Sequence, residues 1–298
     1  MSGQLKEVRD RMKSVKSTQQ ITRAMKMVSA AKLRKAQQAI VEMRPYADRL
    51  NGMLRNILSN LEGDMSSSFG VERPIDKAAI LIVTTNRGLC GGFNSNIVKK
   101  AIELIAKYDE QRQAGNLDLV FVGKKGYDAV KRVYKDCNFV MDYIDVYNDL
   151  SYDNIKQVPE MLMEKFQDGT YDRIDVCYGR FKNAAVQFPE GVQYLPVEKV
   201  EVEEAAPGSK GKADYIFEPG KDELLESLIP CILQTTFQKF LLDTNASEQG
   251  ARMTAMDNAT ENAQELLNEL KINYNKARQE AITKELSEIV GGAAALAG

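Results

Sequence analysis

The sequence predicts an α/β protein. Its two ends form a long antiparallel coiled coil, and a Rossmann-like parallel α/β domain is inserted between them. Three observations carry this reading. Cys231 to Val290 is a run of 60 residues with no proline and one glycine, Gly250, where an ordinary globular helix has ~10–14 residues. Gln4 to Arg44 has neither proline nor glycine. Between these runs, short β-branched stretches alternate with helical patterns. The expected segments are 1–62 for the first helix, 76–197 for the α/β domain and 222–298 for the last helix.

The first helix opens on Leu5, Val8, Met12 and Val15. The same steps of three and four return at Ala36, Ala39, Met43, Tyr46, Leu50, Met53, Ile57 and Leu61, which is a coiled-coil seam. Pro45 falls inside the periodicity and is expected to bend the helix without ending it. Residues 11–41 hold eight Lys/Arg and no acid. Such a run fits an organellar transit peptide, a nucleic-acid binder or a helix facing an acidic protein surface. The periodicity running past residue 60 argues against the first, and the lack of any aromatic before Tyr46 weakens the second. The protein-surface reading is favoured.

Residues 63–76 read as a loop, and then the period changes. Ala78–Thr85 is an unbroken apolar run, a buried strand, followed by a Gly-rich turn at Asn86–Asn94 and a helix over about 95–108. Further strands are expected at Asp118–Gly123, Phe139–Val146 and Arg173–Tyr178, with helices near Gly126–Lys135 and Tyr152–Phe166. Two apolar stretches, Ala185–Phe188 and Val192–Val197, complete a parallel, three-layer domain with right-handed crossovers. Residues 198–221 read as a connection with one short strand at Tyr215–Phe217.

The last helix carries a seam at Met256, Ala259, Ala263, Leu267, Leu270, Tyr274, Ala277 and Ala281. Ile282, Leu286 and Ile289 continue it one position out of step, and Ile289–Gly298 has no charged side chain. Residues 1–62 balance to +8 (thirteen Lys/Arg, five Asp/Glu), and 222–298 to −6 (six against twelve). Opposite signs favour pairing of the two ends with each other.

Composition narrows the chemistry. The chain has no histidine, which removes Ser-His-Asp triads, Cys-His pairs and every His-based zinc site. Cys90, Cys137, Cys177 and Cys231 are widely spaced with no CxxC, as reduced, packed thiols would be. No stretch approaches the ~18 apolar residues of a membrane span. The turn RGLCGGFN, with Arg87, Gly88, Gly91 and Gly92, sits where an α/β fold would cradle a phosphate. It lacks the Walker lysine, and Gly123, Lys124 and Lys125 stand where a dinucleotide fingerprint wants an acid. Close backbone packing is the expected reason for its glycines. No catalytic residue, cofactor or metal is expected.

ITRAMKMVSAAKLRKAQ (Ile21–Gln37), RGLCGG (Arg87–Gly92), ASEQGARMTAMDNAT (Ala246–Thr260) and ITKELSEIVGGAA (Ile282–Ala294) together resemble the γ subunit of F-type ATP synthases. The likeness covers both helices and the central domain in family order. It implies a central shaft that turns inside three α and three β subunits, with a foot against the ε subunit and the c-ring. It also implies no nucleic acid and membrane contact only through the c-ring. By motif position it implies hexamer contacts at Met25, Lys26, Arg252, Arg278, Gln279, Thr283 and Glu285. Arg87 to Gly92 would stabilise the foot. A chain opening at Met1 with the motif under way is expected to be bacterial, peripheral on the cytoplasmic face of the plasma membrane. Two other readings stay open here. One is a nucleic-acid binder using residues 11–41, and the other is an enzyme on the α/β domain.

Overall fold

In the computed structural model, residues 3–59, 69–197 and 221–297 are described. Residues 63–68 of the expected loop 63–76, residues 198–220 of the connection 198–221 with its strand at Tyr215–Phe217, and Leu61 lie outside them. The chain divides into two compact units, Met1–Ala30 with Arg252–Gly298, and Ala31–Ala251. Two helices contribute to both units: α1, Gly3–Ser59, and α7, Lys221–Ala297.

The larger unit is built on five strands: β1 (Ala78–Val83), β2 (Leu117–Val122), β3 (Asn138–Val140), β4 (Arg173–Phe181) and β5 (Gln187–Leu195). They lie in the order β3-β2-β1-β4-β5. β1 pairs in parallel with β2 and β4, Leu81 lying opposite Val120 and Val176. α2 (Phe93–Lys107), α3 (Asp109–Gln113) and α4 (Lys124–Val130) follow the early strands; α5 (Tyr152–Ile155) and α6 (Gln157–Gln167) precede β4.

Alternation along β1 sorts its side chains into two cores. Ala78, Ile80 and Ile82 meet Phe93, Ile97, Ala101 and Leu104 of α2. Ala79, Leu81 and Val83 belong to the core on the other face. That core takes Leu162 and Phe166 from α6 and Leu233, Phe237 and Leu241 from α7. Every β1 residue is buried, which is why the sequence there is continuously apolar. The first half of α7 is thus a core helix of this unit. Gly250 of α7 is explained here: a Cβ would stand 3.1 Å from the backbone of Ala184.

The structure departs from expectation in several places. The two apolar stretches after β4 form one strand, β5, and it runs antiparallel, Tyr178 opposite Glu190. Only residues 182–186 join it to β4, and a parallel return needs about a dozen. Strand β3 stops at Val140, and the residues expected to extend it form a tight 3-10 turn at Ile144–Asn148. The helix expected over 152–166 is two, α5 and α6. Pro45 lies within α1 as expected. It is tolerated because Pro45 and Val41, whose carbonyl the proline cannot bond, both sit on the exposed face.

Candidate functional site

The smaller unit is a two-helix coiled coil. Its α1 seam runs through Leu5, Val8, Met12, Val15, Gln19, Thr22, Lys26 and Ser29 in unbroken steps of three and four, all buried or half-buried. On α7 the facing seam is Met256, Thr260, Ala263, Leu267, Leu270, Tyr274, Ala277 and Ala281. Four cross-helix contacts fix direction and register. Arg9 bonds the Tyr274 hydroxyl, Gln19 bonds Gln264, Thr22 meets Thr260 and Lys26 pairs with Asp257. As the first number rises by 17, from 9 to 26, the second falls by 17, from 274 to 257. The helices are therefore antiparallel.

Extending that register puts Ala281 opposite residue 2. Among the described residues α1 begins at Gly3, so no described α1 residue faces Ile282 and beyond. Ile282, Leu286 and Ile289 do not continue the seam; with Val290 they are 47–67% exposed. Thr283 and Glu285, named by motif, lie on this single-helix overhang and are exposed, as are Arg278 and Gln279 just before it. Met25 and Arg252 are half-buried. Lys26 is also half-buried and already paired with Asp257. Seven of the eight cations of residues 11–41 point to solvent, Lys26 being the exception.

Two surfaces escaped sequence reasoning. Ile21, Met27 and Val28 are 57–63% exposed, an outward apolar face beside the seam. Their signal was the heptad step from 21 to 28, one position off the buried 22 and 29. Within the larger unit the expected seam is corrected: Tyr46 and Met53 are exposed, Leu50 is buried as expected, and half-buried Ala47 takes the inward position given to Tyr46.

The Arg87–Gly92 turn lies at the carboxyl end of β1, at the strand-order switch between β2 and β4. Its polar groups are bonded within the turn and to its neighbours. The Thr85 hydroxyl donates to the Arg87 carbonyl, while Asn94 donates to Thr85 Oγ1 and to the Cys90 sulfur. Asn86 accepts from the Lys124 N–H and donates to Asn148. The close packing expected of the glycines is absent at Gly88, where a Cβ would meet nothing, and at Gly92, where it would make only ordinary contact. Gly91, at φ 58°, is the one whose conformation favours glycine, and Leu89 adopts φ 64° without being one. Burial pushes the Cys137 thiol up to about 11 and Cys177 to about 12, so both stay protonated and unreactive at neutral pH. Among the described residues no His, Cys, Asp and Glu cluster is placed to hold a metal. No described helix is long and apolar enough to cross a membrane.

A sequence model of the family described as ATP synthase matches residues 4–296. The ATP synthase gamma chain of Cytophaga hutchinsonii is 50% identical over 98% of both chains. This chain belongs to the ATP synthase gamma family. The gamma chain of Flavobacterium psychrophilum is 48% identical over 99% of both. Among solved structures, a chain of the Euglena gracilis mitochondrial ATP synthase rotor matches with a TM-score of 0.61 at 22% identity, over 95% of this chain and 100% of that one. A chain of the same enzyme's OSCP/F1/c-ring assembly gives 0.63 at 23%, over 99% and 95%. These likenesses bear on the fold. The nucleic-acid reading of residues 11–41 has no support among these matches.

Proposed function

We propose that the chain is the central shaft of a rotary, proton-translocating ATP synthase, turning inside a hexamer of three α and three β subunits. What supports the reading most is the form of the smaller unit within a gamma-family chain. It is a register-locked pair of helices ending in a single apolar overhang, with the basic face of α1 turned outward. A shaft that is not threefold-symmetric presents a different face to each β subunit. Rotation then changes the nucleotide affinity of each site by the difference in its contacts.

The overhang residues Ile282, Leu286, Ile289 and Val290 would seat in an apolar sleeve, where burial supplies roughly 25 cal/mol per Å². Arg278, Gln279, Thr283 and Glu285, all exposed, would hydrogen-bond to the hexamer, as would Arg252. Lys26 would act while tied to Asp257, and half-buried Met25 beside it would add apolar contact. The outward cations of 11–41 would face acidic loops of the β subunits. The α/β unit would be the foot on the ε subunit and the c-ring, with Arg87, Gly88, Gly91 and Gly92 stabilising it. The chain would contribute no catalytic residue, bind no cofactor and touch the membrane only through the c-ring, on its cytoplasmic face.

Reconstitution tests this. The purified chain is mixed with α and β subunits, and assembly mass and ATP hydrolysis are recorded. A complex of three α, three β and one copy of this chain that hydrolyses ATP is expected. A chain that stays alone under conditions where the other subunits assemble would overturn the proposal.

A further inference from the structure

The larger unit holds a cavity of about 650 Å³ between α1, the end of β4 and α7. That volume is within the ~300–1,000 Å³ of small-molecule sites. Its apolar lining includes Ile40, Met43, Leu50, Ile232 and Phe240. Interleaved with these on the same helices and on the end of β4 are four cations (Arg44, Arg180, Lys182, Lys239) and two acids (Asp48, Asp243). Arg180 bonds Glu190 of β5. Arg44, Lys182 and Lys239 make no ion pair with any described residue.

Asp243 marks the cavity as more than a gap between helices. It is 6% exposed, yet its carboxylate makes no hydrogen bond or ion pair with any described residue. Its buried neighbours on α7 behave differently. The Thr244 hydroxyl donates to the Phe240 carbonyl, Ser247 donates to the Gly179 carbonyl, and Glu248 accepts from Tyr147. Its oxygens are not sealed from solvent, so they open onto the cavity, where a ligand reaches them. The charges facing Asp243 are Lys239 on its own helix, Arg180 and Lys182 from β4 and its end, Glu190 from β5, and Arg44 and Asp48 from α1. Their sum is positive, which disfavours a cation and suits an anion. An anion close to Asp243 must be met by a protonated carboxyl, which then donates a hydrogen bond to it. Burial already lifts Asp243 to about 6, so proton uptake at mildly acidic pH is within reach.

We propose that this cavity binds a small anionic amphiphile, a fixed negative head on an apolar body, with uptake of one proton by Asp243. The head lies against Arg44, Lys182 and Lys239, and the body against Ile40, Met43 and Ile232. The proposal stands apart from the shaft reading and does not depend on it.

Isothermal titration of the full chain with 1-octanesulfonate tests it, because that head keeps its charge throughout the range used. Sulfate (head alone) and 1-octanol (body alone) are the comparison probes. Octanesulfonate should bind more tightly at pH 5.5 than at pH 7.5 by on the order of tenfold, as proton linkage requires. Asp243→Asn should bind at pH 7.5 about as tightly as the wild type does at pH 5.5, and lose the pH dependence. Lys239→Gln, a change on the cavity rim, should weaken binding at both pH values. Equal binding of octanol would overturn anion recognition, and equal binding of sulfate would overturn the apolar half. The same pH profile in Asp243→Asn and wild type would overturn the role of Asp243. Should Asp243→Asn fail to fold by circular dichroism, a flat wild-type profile would overturn it equally.

Discussion

Asp243 also bears on stability. Its folded value of about 6 lies above the ordinary carboxyl value of 3.8, because burial outweighs the nearby cations. The folded state therefore holds this proton more tightly than the unfolded chain. Stability from this group is fully present at low pH and declines as pH rises from about 4 to 6. Asp243→Asn removes the penalty. It should raise urea-unfolding stability by about 1 kcal/mol at pH 7.5, a figure reduced because solvent in the cavity screens the charge. The gain should fade toward pH 4, and a gain constant between pH 4 and 7.5 would count against the assignment. None of this was legible in the sequence. The acid stands beside Leu242 and Thr244 like any other in a helix, and its burial follows from α1 and β4 packing over it.

Among the elements, the coiled coil shows what patterning reveals and what it hides. Leu5, Val8, Met12 and Val15, and the α7 series from Met256 to Ala281, were readable because each apolar side chain recurs at the spacing of one helix face. The middle of the α1 seam was not, because Gln19, Thr22, Lys26 and Ser29 are polar, the first three taking inward positions through partners across the helix pair. Thr22 and Thr260 meet at 2.7 Å inside the seam, and each also lies within hydrogen-bond distance of a carbonyl of its own helix. A polar pair among apolar neighbours fixes register at some cost in stability. Thr22→Val alone should therefore lower the melting stability by roughly 1 kcal/mol, because Thr260 loses a partner. Thr22→Val with Thr260→Val should restore or exceed wild-type stability, as measured by thermal unfolding of all four forms. A double variant weaker than either single one would show that the hydroxyls do not act as a pair. In the α/β unit, strand runs were legible from their β-branched residues. The direction of β5 was hidden, because direction depends on the length of the β4–β5 link rather than on the composition of either strand.

Across the whole chain, the two ends answer different demands, and the register separates them. Up to Glu280, α7 residues have described α1 residues opposite them and contribute to folding. From Ile282 to Val290 the apolar side chains are exposed, a cost to the isolated chain in water unless another protein covers them. The sequence showed the apolar tail but placed Ile282, Leu286 and Ile289 in the seam, since periodicity alone cannot tell where a partner helix begins. On the proposed function, folding and assembly fall to separate residues, which makes them separable by truncation. Ending the chain after Ala281 should leave the thermal midpoint of the isolated chain within about a degree of wild type, because exposed positions contribute little to stability. The same truncation should weaken assembly with α and β subunits and lower ATP hydrolysis by the complex. If the truncated chain melted well below the full one, residues 282–298 would be part of the fold. The overhang could then no longer be read as a surface reserved for the hexamer.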